Sequence, residues 1–307
     1  MKPRILISLT LFVLVLVGQS FGQKKTTVEY IRRDDTISLK MDIFQPEASI
    51  NNRSCLLFVH GGAFFAGTRD FSKYYTPYFQ FFTEKGFTVV SIDYRLGLKG
   101  EKRPSIWNRK PLIKAIDVAV EDLFEATKYL ILHASELGID PSKIILNGES
   151  AGAITVLQGD YELKNRYPNS SILPDTFQYA GVISFAGAIY STHGALKYLE
   201  EPAPTMLFHG SNDKFVPYKK IRLFKEGIFG SEAIVNVYRK KDYCFQFYSF
   251  QNVNHEVAVF PQIEYKEEIL EFIKDCVWNK KPTQLEIYVI DNKYKGNSKM
   301  SLKNYMK

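Results

Sequence analysis

Two kinds of apolar run alternate along this chain, and their alternation predicts its fold class. Residues 56–60, 87–93, 143–146, 181–186, 205–209 and 244–251 are short and apolar at most positions, as strands covered on both faces should be. Residues 28–32 and 36–44 instead alternate apolar with polar side chains, the pattern of a half-exposed antiparallel edge. The stretches between the strands read as helices. Residues 71–85 end at Gly86, and residues 111–136 open on Pro111 with Leu112, Ile116, Val120, Leu123 and Ala126 on one face. Further helices are predicted from residue 151, over 192–199, over 218–229 and, closing the chain, over 264–277. Residues 96–110 read as a basic loop and 158–179 as a polar insertion. Strands alternating with helices force a mostly parallel α/β sheet with helices on both faces, whose ligands bind at the carboxyl ends of the strands.

Composition fits one globular domain over residues 23–279: 307 residues, 45% hydrophobic and 24% charged. Residues 1–22 are a separate unit. Lys2 and Arg4 precede an apolar run over residues 5–17, and the small Ser20 and Gly22 mark a cut between Gly22 and Gln23, so the segment reads as a secretory signal peptide. The run is shorter than the ~20 residues a membrane span needs, so the expectation is an exported or periplasmic protein without a stable span after cleavage.

The net charge of +7 sits at the two ends. Residues 280–307 carry seven lysines against Glu286 and Asp291, and Lys2 and Arg4 supply the rest. The body is therefore near neutral and offers no aromatic-studded basic groove, which excludes nucleic acid as a partner. The lysine-rich tail reads as a solvated surface segment; anionic glycans or lipids of a cell surface are the partners it would suit. Cys55, Cys244 and Cys276 cannot all pair within one chain and read as buried thiols, with a Cys244–Cys276 bridge permitted by export. No Cys or His spacing matches a metal site.

Candidate chemistry clusters after the predicted strands. Gly148-Glu149-Ser150-Ala151-Gly152 joins a strand to a helix, where a sharp turn would push the serine hydroxyl out between small neighbours. His60-Gly61-Gly62-Ala63-Phe64 follows another strand, and a glycine-rich loop there exposes N–H groups that can meet an oxyanion. A serine needs a base, and the base needs a carboxylate to fix its tautomer. Asp213 lies in His209-Gly210-Ser211-Asn212-Asp213-Lys214-Phe215-Val216-Pro217, after a strand, and His255 is the one histidine of five beyond it. Glu232 and Asp242 are rival acids, although neither follows a buried strand through a tight polar turn. Glu149 is read as a buried hydrogen-bonding residue, and His209 as a satisfied strand-end residue. Phe64, Phe65, Tyr74, Tyr75 and Tyr78 crowd the stretch after the glycine loop, with Phe64 and Phe65 as candidates for substrate contact.

Together HGGAF, GESAG, HGSNDKFVP and the lone late histidine resemble the α/β-hydrolase superfamily, in its carboxylesterase and lipase-like branch, over about residues 37–278. The resemblance implies the α/β-hydrolase fold, Ser150 as nucleophile, Asp213 as acid, His255 as base, and an oxyanion hole of the Gly62, Ala63 and Ala151 N–H groups, with no cofactor or metal. Ala63 stands where many relatives carry a third glycine. GLKGEKRP follows Asp93-Tyr94-Arg95-Leu96 where hormone-sensitive-lipase relatives carry Ala-Pro-Glu. The implied activity is hydrolysis of short-acyl, aryl or carbohydrate esters. A small amidase or peptidase on the same scaffold and a non-catalytic binding module of esterase fold are the alternatives.

Overall fold

The computed structural model describes residues 24–33, 36–70, 72–101, 104, 108–290 and 292–294, without the side chains of 72–74 and 292. The predicted signal peptide and the lysines from residue 295 onward lie outside them.

The strands are β1 (Lys24–Arg33), β2 (Ile37–Gln45), β3 (Cys55–Val59), β4 (Thr88–Ile92), β5 (Ile144–Glu149), β6 (Gly181–Phe185), β7 (Ala188–Ser191), β8 (Thr205–Gly210), β9 (Lys220–Leu223), β10 (Glu226–Gly230), β11 (Phe245–Phe250) and β12 (Gln284–Val289). The helices are α1 (Ser72–Glu84), α2 (Lys110–Leu132), α3 (Ala134–Leu137), α4 (Ala151–Lys164), α5 (Ser231–Lys240), α6 (Pro261–Glu264) and α7 (Lys266–Phe272). Nine strands form the main sheet in the order β1-β2-β4-β3-β5-β6-β8-β11-β12. β2 is antiparallel to both of its neighbours, β1 and β4, and every other neighbouring pair runs parallel.

The period of two along each strand sorts its side chains between two cores. Leu57, Val59, Leu146, Val182, Leu207 and Phe247 face the core shared with α2, α4 and α5. Leu56, Phe58, Ile145, Ile183, Phe208 and Phe250 face the one shared with α1 and α7. Every residue of β3, β4, β5, β6 and β8 is buried, as expected of strands covered on both faces.

Four expectations of local structure need correction. Residues 218–229 form a hairpin, β9 and β10, which pairs with β7 in a separate three-stranded antiparallel sheet. The turn has Phe224 at φ 56°, a left-handed position that the interior of a right-handed helix does not contain. Residues 192–199 are irregular, with Gly194 at φ 93°. Part of the lysine-rich segment is sheet: β12 adds the ninth strand beside β11, from Phe245↔Gln284 to Phe250↔Val289. The predicted polar insertion begins inside α4, which runs on to Lys164. No helix among the described residues is long and apolar enough to cross a membrane.

Candidate active site

The strand ends of the parallel sheet carry the predicted residues. β5 passes into α4 through Ser150, whose backbone is held at φ 51° and ψ −115°. A non-glycine residue in so sparse a region costs on the order of 1–3 kcal/mol unless its surroundings fix it. They do: Ser150 N–H donates to the Phe185 carbonyl (2.8 Å), and the Ser150 carbonyl accepts from Ile154 N–H (2.9 Å). Both flanking glycines are steric necessities. A Cβ on Gly148 would stand 2.4 Å from the Gly152 carbonyl oxygen, and one on Gly152 would stand 2.0 Å from that of Val59.

Two loops after β8 and β11 are laced together beside this turn. Asn212 N–H donates to the Val253 carbonyl (3.0 Å), and Lys214 N–H to Asn254 Oδ1 (2.9 Å). The lacing brings Asp213 and His255 to Ser150. His255 Nδ1 lies 2.7 Å from Asp213 Oδ2, and His255 Nε2 lies 2.8 Å from Ser150 Oγ. The other Asp213 oxygen accepts from the N–H groups of Phe215 (2.8 Å) and Val216 (2.9 Å). Burial opposes ionisation of Asp213, but hydrogen bonds and charge from His209 and His255 outweigh it and hold the carboxyl well below the usual carboxylate range. An ionised Asp213 only accepts, so His255 carries its proton on Nδ1 and turns a lone pair on Nε2 toward the serine hydroxyl.

The glycine loop lies against the same turn, where a Cβ on Gly61 would come 3.3 Å from Ser150 Cβ. Gly62, Ala63 and Phe64 all take positive φ, at 110°, 55° and 61°. A Cβ on Gly62 would lie 1.9 Å from the Ala66 carbonyl oxygen, so only glycine fits there. Among the described residues, neither Gly62 N–H nor Ala63 N–H donates a hydrogen bond. Ala151 N–H belongs to the first turn of α4, where helical N–H groups lack helical partners. The arrangement can therefore present a hydroxyl, a base and unspent donors to one carbonyl group.

Residues 41–189 match the BD-FAE family. The apo form of Thermogutta terrifontis esterase 2 superposes with a TM-score of 0.59 at 21% identity, covering 81% of this chain and 93% of that one. The chain has the α/β-hydrolase fold, and the proteins it resembles are carboxylesterase-type hydrolases. It is 31% identical to Lipase 2 of Moraxella sp. (strain TA144) over 34% of this chain and 21% of that protein. It is 24% identical to a probable isoprenylcysteine alpha-carbonyl methylesterase of Arabidopsis thaliana, over 69% of this chain and 50% of that protein. The chain spans about a fifth to a half of the length of these curated relatives.

Beyond the three predicted side chains, the site holds Glu149, buried and hydrogen-bonded as the sequence suggested, with partners that sequence reasoning did not assign to it. Glu149, 4% exposed, accepts from Gly61 N–H (3.1 Å), Tyr75 OH (2.7 Å) and Gln262 Nε2 (2.9 Å). One carboxylate thereby ties the glycine loop, α1 and α6 to the serine turn. Burial raises its pKa, and the donors on Tyr75, Gly61 and Gln262 work against that rise. Tyr75 and Gln262 could have been sought only by asking which donors a buried Glu149 would require. His209 is satisfied, by Ser231 Oγ (2.7 Å) and the Val216 carbonyl (3.2 Å), yet its Nε2 is also 3.4 Å from Asp213 Oδ2. His60 stacks on Tyr94 with centroids 4.6 Å apart, and burial pushes its pKa down to about 4, so it stays neutral. His133 contacts Glu136 and His193 contacts Tyr167, both at the surface.

The aromatic expectation needs revision. Phe64 is 2% exposed and packs edge-on against Tyr94, while its carbonyl accepts from Leu98 N–H (3.0 Å); its ring belongs to the core that supports the loop. Phe65 is half-buried against the same core. Phe215, which sequence reasoning did not single out, lies beside His255 with ring centroids 5.3 Å apart. Cys55 and Cys276 are buried and Cys244 is half-buried, and all three are free. A cavity of about 690 Å³ lies elsewhere, lined by Ile131, Pro141, Phe177, Ala203, Cys244 and Cys276 among others.

Proposed function

We propose that this hydrolase is an exported serine carboxylesterase that cleaves short-acyl, aryl or carbohydrate esters through an acyl-serine intermediate. The observation that carries the reading is the unbroken hydrogen-bond chain from Ser150 Oγ through His255 to Asp213. Ser150 Oγ attacks the ester carbonyl carbon as His255 Nε2 takes its proton. Asp213, kept ionised, stabilises the imidazolium that results. The carbonyl oxygen, now negative, accepts from the N–H groups of Gly62, Ala63 and Ala151, which are fixed before the charge develops and need no reorganisation. His255 then gives the proton to the departing alkoxide and frees the alcohol. Water repeats the sequence with His255 as base, releasing the acid and restoring Ser150.

Support for export comes from the signal-like pattern of residues 1–22. Small or carbohydrate-borne substrates are favoured by the absence of a helical cap between β6 and β8 among the described residues, where only β7 and turns intervene. Phe215 and Phe65 are the side chains proposed to meet the acyl or aryl group.

The test is nitrophenol release from nitrophenyl acetate, butyrate and octanoate, with acetylated xylan and methyl ferulate as natural esters. Ser150→Ala should lower turnover by roughly four to six orders of magnitude, leaving what oxyanion binding supplies. Equal turnover in the variant, or no fluorophosphonate labelling of Ser150, would overturn the mechanism.

A further inference from the structure

The β9–β10 hairpin grows directly out of the Asp213 turn, through Val216, Pro217 and Tyr218. Its outer surface is unlike the rest of the site's surroundings. Phe224, at the tip, is 88% exposed, and Ile221 is 59% exposed. Lys214, Lys219, Lys220, Arg222 and Lys225 are exposed around them. The nearby carboxylates cancel only part of that charge. Glu226 is engaged by Arg109 (2.9 Å) and Tyr190 OH (2.9 Å), Asp213 is buried against His255, and Glu232 lies 4.0 Å from Lys219.

The exposure is built into a well-anchored element. β10 pairs with β7 from Gly227↔Ser191 to Gly230↔Ala188, and the Lys225 carbonyl accepts from Gly194 N–H (2.6 Å). A Cβ on Gly230 would lie 1.7 Å from the Pro217 carbonyl oxygen, so the base of the hairpin is packed backbone to backbone.

We infer that this hairpin is a membrane-docking finger for a bilayer that carries anionic lipids. Phe224 and Ile221 enter the boundary between headgroups and acyl chains, and the lysines and Arg222 pair with headgroup phosphates. The combination selects a lipid surface over other polyanions. Ile221 has no flat face on which a sugar or base could stack, and an apolar tip ringed by cations matches an apolar layer beneath an anionic one. The inference stands whether or not the ester reading does, because its readout is binding.

The experiment is co-sedimentation of the chain from Gln23 onward, which contains every element of the described fold, with vesicles of phosphatidylcholine with and without a minority of phosphatidylglycerol. Binding should require phosphatidylglycerol and weaken with salt. Ile221→Ser/Phe224→Ser should weaken it by about tenfold or more through lost apolar burial. Lys220→Gln/Lys225→Gln should weaken it by about fivefold for each charge removed. Unchanged circular dichroism in both double variants separates docking from folding. Full binding by both would overturn the inference and assign attachment to the lysines beyond residue 290. So would no vesicle binding by the parent chain, or hairpin-dependent binding to an acidic polysaccharide in place of the vesicles.

Discussion

Where β5 gives way to α4, the buried Glu149 gathers donors from three other segments; farther along the same helix, Asp160 and Glu162 are as deeply buried with fewer donors to meet them. Asp160 accepts from Ala203 N–H at 3.3 Å, and Glu162 from Gln158 Nε2 at 2.9 Å. Burial pushes Asp160 up to about 6 and Glu162 up to about 7, the latter helped by the charge of Asp117. Both regions carry the cost of removing a carboxylate from water. At the serine end that cost is offset by contacts that also fix the loops carrying the chemistry. Toward the other end it is offset by proton uptake, which leaves a pH dependence instead of a fixed geometry.

Four changes would break or sharpen the contrast. The largest effect is expected from Asp213→Asn, which offers an amide where His255 Nδ1–H needs an acceptor. Turnover of a nitrophenyl ester should fall by about three to four orders of magnitude, as steady-state kinetics on a variant with unchanged circular dichroism would show. A loss below about tenfold would mean that His255 is oriented by something else.

Glu149→Gln comes next. The new amide oxygen can still accept from Gly61 N–H and Tyr75 OH, but its NH₂ faces Gln262 Nε2, a donor already committed to the Ala258 carbonyl (3.0 Å). One frustrated buried pair costs about 1–3 kcal/mol. Because it lies on the segment that follows His255, kcat should fall by about tenfold while KM changes little. An unchanged kcat would show that the network serves stability alone.

Glu162→Gln should leave turnover intact and alter only the pH dependence of stability. The folded carboxyl, at about 7, lies above its unfolded value near 4.3, so its stabilising contribution is present below the unfolded pKa and lost as pH rises through the folded one. The parent's thermal midpoint should therefore decline between about pH 5 and about pH 8, and the variant should remove much of that slope. Asp213 has the opposite sign. Its folded pKa is held below the unfolded one, so its contribution is present above about pH 4 and lost in acid. A parent midpoint flat across neutral pH would contradict the assignment to Glu162. The smallest effect belongs to the hairpin: Ile221→Ser/Phe224→Ser should change stability by less than about 0.5 kcal/mol, since these side chains are exposed, and should leave turnover of a soluble ester as it was.

Legibility in the sequence followed how local each interaction is. The buried strands, the Pro111 helix start and the Gly-Ser-Gly turn are written in neighbouring residues, and the structure forms each close to its expected place. The stretch over residues 218–229 reads as a helix, since Tyr218, Ile221, Phe224 and Ile228 recur at nearly helical spacing. Pairing with β7 overrides that spacing, and β7 lies about thirty residues upstream. β12 was hidden among lysines for the same reason, since its strand character depends on the exposed flank of β11. Phe64 looked like a contact for substrate, but its ring is claimed by Tyr94 across the loop.

By itself the sequence determined the kind of sheet, the strand ends at which chemistry could sit, and the residue types able to perform it, because periodicity, glycine and proline act within a few residues. Only the tertiary structure decided that Ser150, His255 and Asp213 meet at 2.8 and 2.7 Å, that Glu149 binds the glycine loop to α1 and α6, and that a hairpin rather than a helix stands beside the site. Those outcomes depend on contacts between segments up to about a hundred residues apart, which form only when the whole sheet closes and its loops must satisfy one another's buried polar groups.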